Sequence, residues 1–126
     1  MSLRSSLGLV RGLGSAKSGT RHWWMQRLTA VALIPLSLWF VSALVCVAGA
    51  DYGAAIAWLR SPLTATLLVL LIAAVFYHTQ LGLQVIVEDY VHHEAVKMTV
   101  QVLIKFGCLF LGLLAALAVL KVFFGA

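Results

Sequence analysis

The chain has 126 residues, of which 63% are hydrophobic and only 10% are charged, and its mean hydropathy is +1.04. Soluble domains carry about 25% charged residues, so a chain of this size has too few polar side chains to cover a water-exposed surface. The net charge of +5 is therefore interpreted as a signal of membrane orientation and not of nucleic-acid binding, and an integral membrane protein is expected.

The N-terminal segment, residues 1–22, is polar, rich in glycine and basic. It contains Arg4, Arg11, Lys17 and Arg21 and no acidic residue. We expect a basic segment on the cytoplasmic side of the membrane. A cleaved secretory signal is the competing interpretation, but the apolar run that follows is longer than the 7–15 residues typical of a signal peptide.

Three long apolar runs predict membrane-spanning helices within a transmembrane domain of residues 23–126. The predicted spans are about residues 24–50, 62–88 and 95–124. A helix needs roughly 20 apolar residues to cross the hydrocarbon core, and it satisfies its own backbone hydrogen bonds there. Short connections make neighbouring spans antiparallel. The sequence therefore predicts an all-α integral membrane protein with three transmembrane helices.

The distribution of basic residues favours one orientation. Residues 1–22 carry four basic side chains and Arg27 begins the first span, whereas the Asp51–Pro62 connection has only Arg60. The positive-inside rule places the N-terminus and the Glu88–His93 loop on the cytoplasmic side. The expected location is the bacterial cytoplasmic (inner) membrane, with the mitochondrial inner membrane as the alternative.

The two cysteines, Cys46 and Cys108, lie within apolar runs, and neither belongs to a CxxC motif. Two cysteines are too few for a disulfide scaffold, and they offer no set of ligands for an iron–sulfur cluster or a structural zinc. The orientation above also places them at opposite depths. We therefore expect both to be free.

His78 is the residue that most clearly suggests chemistry, because it lies inside the second apolar run, where ionisable groups are rare and mark functional sites. It is either a metal or haem ligand or a neutral histidine bonded to a neighbouring helix. No other histidine lies in a span, so a haem with two histidine ligands requires the second from a partner chain. Gly82, one turn along the same face, allows either a flat ligand or close helix packing.

A second set of candidate residues lies near the end of the membrane that is expected to face the cytoplasm. Asp89 follows His78 by eleven residues, which places it within about 20° of the same helix face and about 16 Å further along the axis. Tyr90 can donate a hydrogen bond to a quinone carbonyl, and Arg27 can bind a carboxylate such as a haem propionate. The alternatives are an interfacial tyrosine, a solvated acid and a lipid-headgroup anchor.

Two sequence segments carry a family resemblance. HWWMQRLTAVALIPL has an Arg–x–Thr–Ala start to the first span, and HTQLGLQVIVEDYV has a histidine, a glycine four residues later, and an Asp–Tyr pair eleven and twelve residues after the histidine. With three spans and a basic N-terminus, the chain resembles the hydrophobic membrane anchors of succinate dehydrogenase (respiratory complex II), in particular the smaller D-type anchor. The resemblance covers about residues 19–124.

The resemblance implies a role for each of four residues. By the resemblance, His78 is an axial ligand to the iron of haem b, beside which the spacing of Gly82 leaves room for the ring, and Arg27 lies near the propionates. It also implies that Tyr90 hydrogen-bonds ubiquinone and that Asp89 is the neighbouring acid.

The same resemblance implies a subunit within a larger complex, as part of a heteromeric helix bundle in the membrane. Succinate oxidation is expected on a flavoprotein subunit, electrons pass through an iron–sulfur subunit, and a cytochrome b556 anchor subunit shares the haem. No catalytic residue and no flavin or succinate site is expected in this chain, and its remaining contacts are with membrane lipid. The alternatives are the anchor of a related quinol:fumarate reductase, or a small non-redox accessory protein that uses His78 and Asp89 for packing or protonation.

Overall fold

The chain folds into helices joined by short connections. The computed structural model describes residues 5–10 and 18–125, which contain no strand. Five helices make up most of them: α1 (Ser6–Val10), α2 (Ser18–Ala48), α3 (Tyr52–Leu59), α4 (Pro62–Tyr90) and α5 (Glu94–Phe123). Three of these, α2, α4 and α5, are long and apolar enough to cross a membrane. The prediction of an all-α membrane protein with three spans is confirmed.

The first long helix begins earlier than the apolar run that predicted it. α2 starts at Ser18, so Arg21 and His22 are helical and stand one to two turns before the most apolar part of the span. Arg4, Arg11 and Lys17 lie outside the described residues. α2 also continues through Pro35 without a break in the helix, as membrane helices allow when neighbouring groups satisfy the freed carbonyl.

The connection between α2 and α4 contains a short helix that the sequence analysis did not predict. The Asp51 side chain caps α3, because its Oδ1 accepts a hydrogen bond from the Ala54 N–H at 2.8 Å. Pro62 at the first position of α4 ends the connection. α3 packs against α2, α4 and α5, and the Trp58 ring lies 6.2 Å from that of Trp39. The short helix therefore joins the three spans at one end.

α4 is the central helix, and all the residues that are buried as a whole lie on it, among those that the structure describes. It packs against α2 on one side and α5 on another, while no Cα atom of α2 lies within 8 Å of a Cα atom of α5 over the described residues. The buried residues are Thr64, Ala65, Leu68, Leu71, Leu81 and Val87. The outer faces of α2 and α5 expose large apolar side chains, among them Leu38, Val45, Phe106 and Leu117. In a membrane protein these faces contact lipid or the helices of partner subunits.

The contact between α4 and α5 uses small residues. A Cβ atom added at Gly112 would lie 3.5 Å from Phe76, and Cys108 and Ala116 line the same groove. Close approach of the two helices thus depends on small side chains four residues apart, a recurring device in membrane helix packing. Cys46 and Cys108 are both free thiols.

Candidate functional site

His78 lies near the middle of α4 and forms a hydrogen bond across the interface with α2. Its Nδ1 is 3.0 Å from Oγ1 of Thr29, and both side chains are partly buried. Nε2 has no hydrogen bond to any residue that the structure describes. The two interpretations from sequence are therefore compatible, since one ring nitrogen contacts the neighbouring helix and the other remains available.

Gly82, one turn from His78, has room for a small side chain beside α2. A Cβ atom added there would approach one heavy atom within 4 Å, Nε2 of Gln26, at an ordinary contact distance of 3.8 Å. Packing within this chain therefore does not require glycine at this position. The neighbouring Gln26 has a buried Oε1 that lacks a hydrogen-bond partner among the described residues. Buried polar atoms are rarely left unpaired, so the Gln26 amide is a second polar group near His78 that can accept a hydrogen bond from outside this chain.

Asp89 and Tyr90 form the last turn of α4 and point away from the packed core. Both are exposed, Tyr90 to 76%, and neither side chain forms a hydrogen bond or ion pair with the part of the chain that the structure describes. One uninterrupted helix joins them to His78, so the rise of about 16 Å from His78 to Asp89 applies. The Tyr90 hydroxyl is therefore free to bind a group outside this chain.

Arg27 lies in the third turn of α2, and its side chain is exposed. The guanidinium carbon is 5.5 Å from the centre of the Trp23 ring, a cation–π arrangement one turn back along the helix. Arg27 pairs with no carboxylate within residues 5–10 and 18–125. The guanidinium can thus bind an anionic group from outside the chain.

The remaining histidines have different surroundings. His93 caps α5, because its Nδ1 accepts a long hydrogen bond of 3.5 Å from the Val96 N–H. His92 is exposed in the loop beside it. Nε2 of His22 is buried and has no partner in the described part of the chain.

Two polar features were missed in the sequence analysis. A cavity of about 690 Å³ opens between α2, α4 and α5, and its polar lining includes Arg21, His22, Gln80, Gln84, Glu88 and Lys105. The spacing of Gln80, Gln84 and Glu88 by four residues signalled this polar stripe. The second feature is Thr29, which is 49 residues from His78 in the chain, so no local pattern links the two residues.

Comparison with known proteins assigns the chain to a family. Residues 1–120 match the family described as succinate dehydrogenase/fumarate reductase transmembrane subunit. The chain is 32% identical over 102 residues to the succinate dehydrogenase hydrophobic membrane anchor subunit of Rickettsia bellii, a match that covers 81% of this chain and 82% of the relative.

Two further relatives carry related names. The chain is 30% identical over 92 residues to the succinate dehydrogenase membrane anchor subunit of Reclinomonas americana, covering 71% of this chain and 77% of the relative. It is 28% identical over 98 residues to the succinate dehydrogenase hydrophobic membrane anchor subunit of Paracoccus denitrificans, covering 78% and 76%. The chain therefore belongs to the family of succinate dehydrogenase/fumarate reductase transmembrane subunits.

Proposed function

We propose that this chain is the membrane-anchor subunit of a succinate:quinone oxidoreductase, that His78 is one axial ligand of a shared b-type haem, and that Tyr90 and Asp89 form part of a ubiquinone site. Family membership and three membrane-spanning helices support the anchoring role. The observation that carries the haem proposal is the position of His78 in the middle of α4, with Nδ1 bonded to Thr29 and Nε2 unpaired among the described residues.

Three features of this chain fit one side of a haem. The unpaired Nε2 of His78 is an imidazole nitrogen, the type of atom that binds haem iron through its lone pair. The missing side chain at Gly82 leaves room for a neighbouring group, bounded on the α2 side by Gln26, whose Nε2 would lie 3.8 Å from an added Cβ. The exposed guanidinium of Arg27 is unpaired with any carboxylate of the described residues and suits a propionate.

A haem with two histidine ligands accepts and returns single electrons in the membrane. The residues of this chain hold and orient it. His78 binds the iron at a fixed depth in α4, Gly82 admits the flat ring, and the apolar side chains of α2 and α4 exclude water. His22 also lies in α2, but it precedes Thr29, the residue that contacts His78, by seven residues, or about 10 Å along the helix. His22 is therefore too far along α2 to share an iron with His78, and the second histidine ligand would come from a partner subunit.

The proposed quinone site uses the exposed end of α4. The Tyr90 hydroxyl, which has no partner in the described residues, donates a hydrogen bond to a carbonyl oxygen of the quinone. Asp89 stands beside it and provides negative charge and a route for protons. The position at the end of a span suits a quinone head that meets electrons arriving from a soluble subunit.

The proposed partners are a flavoprotein subunit, an iron–sulfur subunit and a cytochrome b556-type anchor. The exposed apolar faces of α2 and α5 provide surface for the second anchor and for lipid. The family description includes fumarate reductases, but the relatives from Rickettsia, Reclinomonas and Paracoccus are all named as succinate dehydrogenase subunits. Their names favour succinate oxidation as the physiological direction.

The proposal is tested by replacing His78 in the assembled complex. His78→Ala should remove the b-type haem or convert it from low-spin to high-spin, because the iron loses one axial ligand. His92→Ala, which changes an exposed loop histidine, is the matched control and should keep the wild-type spectrum. The measurements are the reduced-minus-oxidised spectrum of the purified complex and its subunit content. A low-spin haem at wild-type content in His78→Ala would contradict the assignment of His78 as a haem ligand. Purification of the wild-type chain without the flavoprotein subunit would contradict the anchoring role.

A further inference from the structure

We propose that Thr29 is a positioning residue for His78, and that its hydroxyl selects the imidazole tautomer whose Nε2 carries the free lone pair. This inference rests on the proposed role of His78 as a haem ligand. The two residues come from different spans, α2 and α4, and are joined by a hydrogen bond of 3.0 Å.

The direction of this bond follows from the single hydroxyl proton of Thr29. Oγ1 of Thr29 lies 2.8 Å from the carbonyl oxygen of Met25 and 3.0 Å from that of Gln26. A carbonyl oxygen only accepts hydrogen bonds, so the threonine proton is directed at these two acceptors. Oγ1 is then left with acceptor lone pairs for its third neighbour, Nδ1 of His78.

Because Oγ1 of Thr29 acts as an acceptor, it determines which nitrogen of the His78 ring carries the proton. In a neutral ring one nitrogen carries the proton and the other carries the lone pair. If Nδ1 donates to Thr29, Nε2 has the lone pair and points away from α2 as a ligand. The opposite tautomer would require the hydroxyl to leave both carbonyls and would place an N–H where a metal must bind. With Nδ1 protonated, the Thr29 hydroxyl keeps its hydrogen bonding to the backbone carbonyls and also accepts from His78. The opposite tautomer leaves the carbonyls without the hydroxyl proton.

The hydrogen bond between Thr29 and His78 lies where the loss of one partner is costly. Both side chains are partly buried in the interface between two apolar helices, where water is a poor substitute for a lost partner. Histidine ligands commonly donate their second N–H to an acceptor, which fixes the ring and makes the ligating nitrogen more basic. A more basic ligand stabilises the oxidised iron, so removal of the acceptor raises the midpoint potential.

The test compares three variants in the purified complex. Thr29→Val removes the hydroxyl and keeps the branched shape, whereas Thr29→Ser keeps the hydroxyl. Thr66→Val is the matched control, because Thr66 makes the same bond to the carbonyl four residues earlier, 2.8 Å to Pro62, without a histidine partner. The readouts are haem content, the electron paramagnetic resonance spectrum of the ferric haem, and the midpoint potential from a dye-mediated titration.

Thr29→Val should shift the midpoint potential to a more positive value, change the resonance spectrum and weaken haem retention by roughly 10–100-fold. Thr29→Ser and Thr66→Val should match the wild type. If Thr29→Val prevents assembly, Thr29→Ala replaces it with the same expectation.

Two results would overturn the inference about Thr29 without affecting the proposal that His78 is a haem ligand. One is a low-spin haem with wild-type potential and spectrum in Thr29→Val; the other is an equal shift in Thr29→Ser, which would assign the effect to side-chain shape. Retention of a low-spin haem by His78→Ala would instead contradict the proposed function, so the two failures are distinguishable.

Discussion

Histidines of this chain serve different purposes because their surroundings differ. His78 has one ring nitrogen bonded to Thr29 in the middle of a span, whereas His93 uses Nδ1 to accept from the backbone at the start of α5. The depth of His78 was visible in the sequence, since an ionisable group within an apolar run is unusual. Its Thr29 contact was not, because a bond between helices depends on their relative rotation and not on local spacing.

The first prediction at the residue scale concerns the hydroxyl of Tyr90. Tyr90→Phe should lower succinate:quinone turnover by about 2- to 10-fold, since a lost neutral hydrogen bond is worth about 0.5–1.5 kcal/mol. Haem content, assembly and electron transfer to a soluble artificial acceptor should persist. The measurement compares quinone reductase and artificial-acceptor activities in the same membranes.

Tyr52→Phe is the matched control for this change. Tyr52 is exposed to 81% at the start of α3, at the other end of the bundle, and Tyr90 is exposed to 76% at the end of α4. The control should leave both activities unchanged. Equal quinone turnover for Tyr90→Phe and the wild type would contradict the role of Tyr90 at a quinone site and would favour the alternative, an aromatic residue at the membrane interface.

At the scale of the element, α4 accounts for most of what could be predicted. Its unbroken course from Pro62 to Tyr90 makes the sequence spacing of His78, Gly82 and Asp89 a reliable guide to their relative placement. α3 was missed because its eight residues, Tyr52–Leu59, include a glycine and are too few to show a helical repeat. The signal that was available is Asp51, which precedes the helix and caps it.

The prediction at this scale concerns the face of α4 that carries Gly82. Gly82→Ala should leave helix packing within the chain intact, because the new Cβ would contact only Gln26 at 3.8 Å, and alanine favours a helix over glycine by about 1 kcal/mol. A methyl group that intrudes on the space for a haem should weaken haem binding by about 1–3 kcal/mol. The measurement is the haem content and spectrum of the purified complex.

Gly107→Ala provides the comparison on α5, where an added Cβ would meet nothing within 4 Å. It should change neither assembly nor haem. An unchanged haem content and spectrum in Gly82→Ala would show that this face of α4 contacts lipid or another helix and not the haem.

At the scale of the whole molecule, the described residues form a thin bundle with one central helix. The number of spans could be predicted because length and hydropathy alone determine it. The order of packing could not, since the buried Leu68 and the exposed Leu38 and Leu117 are the same residue type in equally apolar runs. Lipid is as apolar as a helix interface, so hydrophobicity does not distinguish the two in a membrane.

The last prediction concerns the orientation of this bundle. Arg21 and Arg27 lie near the start of α2 and Lys97 lies in the first turns of α5, at the end where α4 finishes. By the positive-inside rule this end faces the cytoplasm and the α3 end faces outward. The test uses a background in which Cys46 and Cys108 are replaced by alanine, with single cysteines introduced by His92→Cys and Ala50→Cys, both at exposed positions.

A membrane-impermeant maleimide should label Ala50→Cys in intact spheroplasts and should label His92→Cys only after the membrane is opened. The control for reactivity is labelling of the detergent-solubilised complex. A cysteine that the membrane alone protects is labelled there, whereas one that a partner subunit covers in the α4–α5 loop stays unlabelled. Labelling of His92→Cys in intact spheroplasts, with Ala50→Cys reactive only after lysis, would invert the topology. The proposed quinone site at Tyr90 would then face away from the cytoplasm, and electrons from a cytoplasmic iron–sulfur subunit would enter at the α3 end.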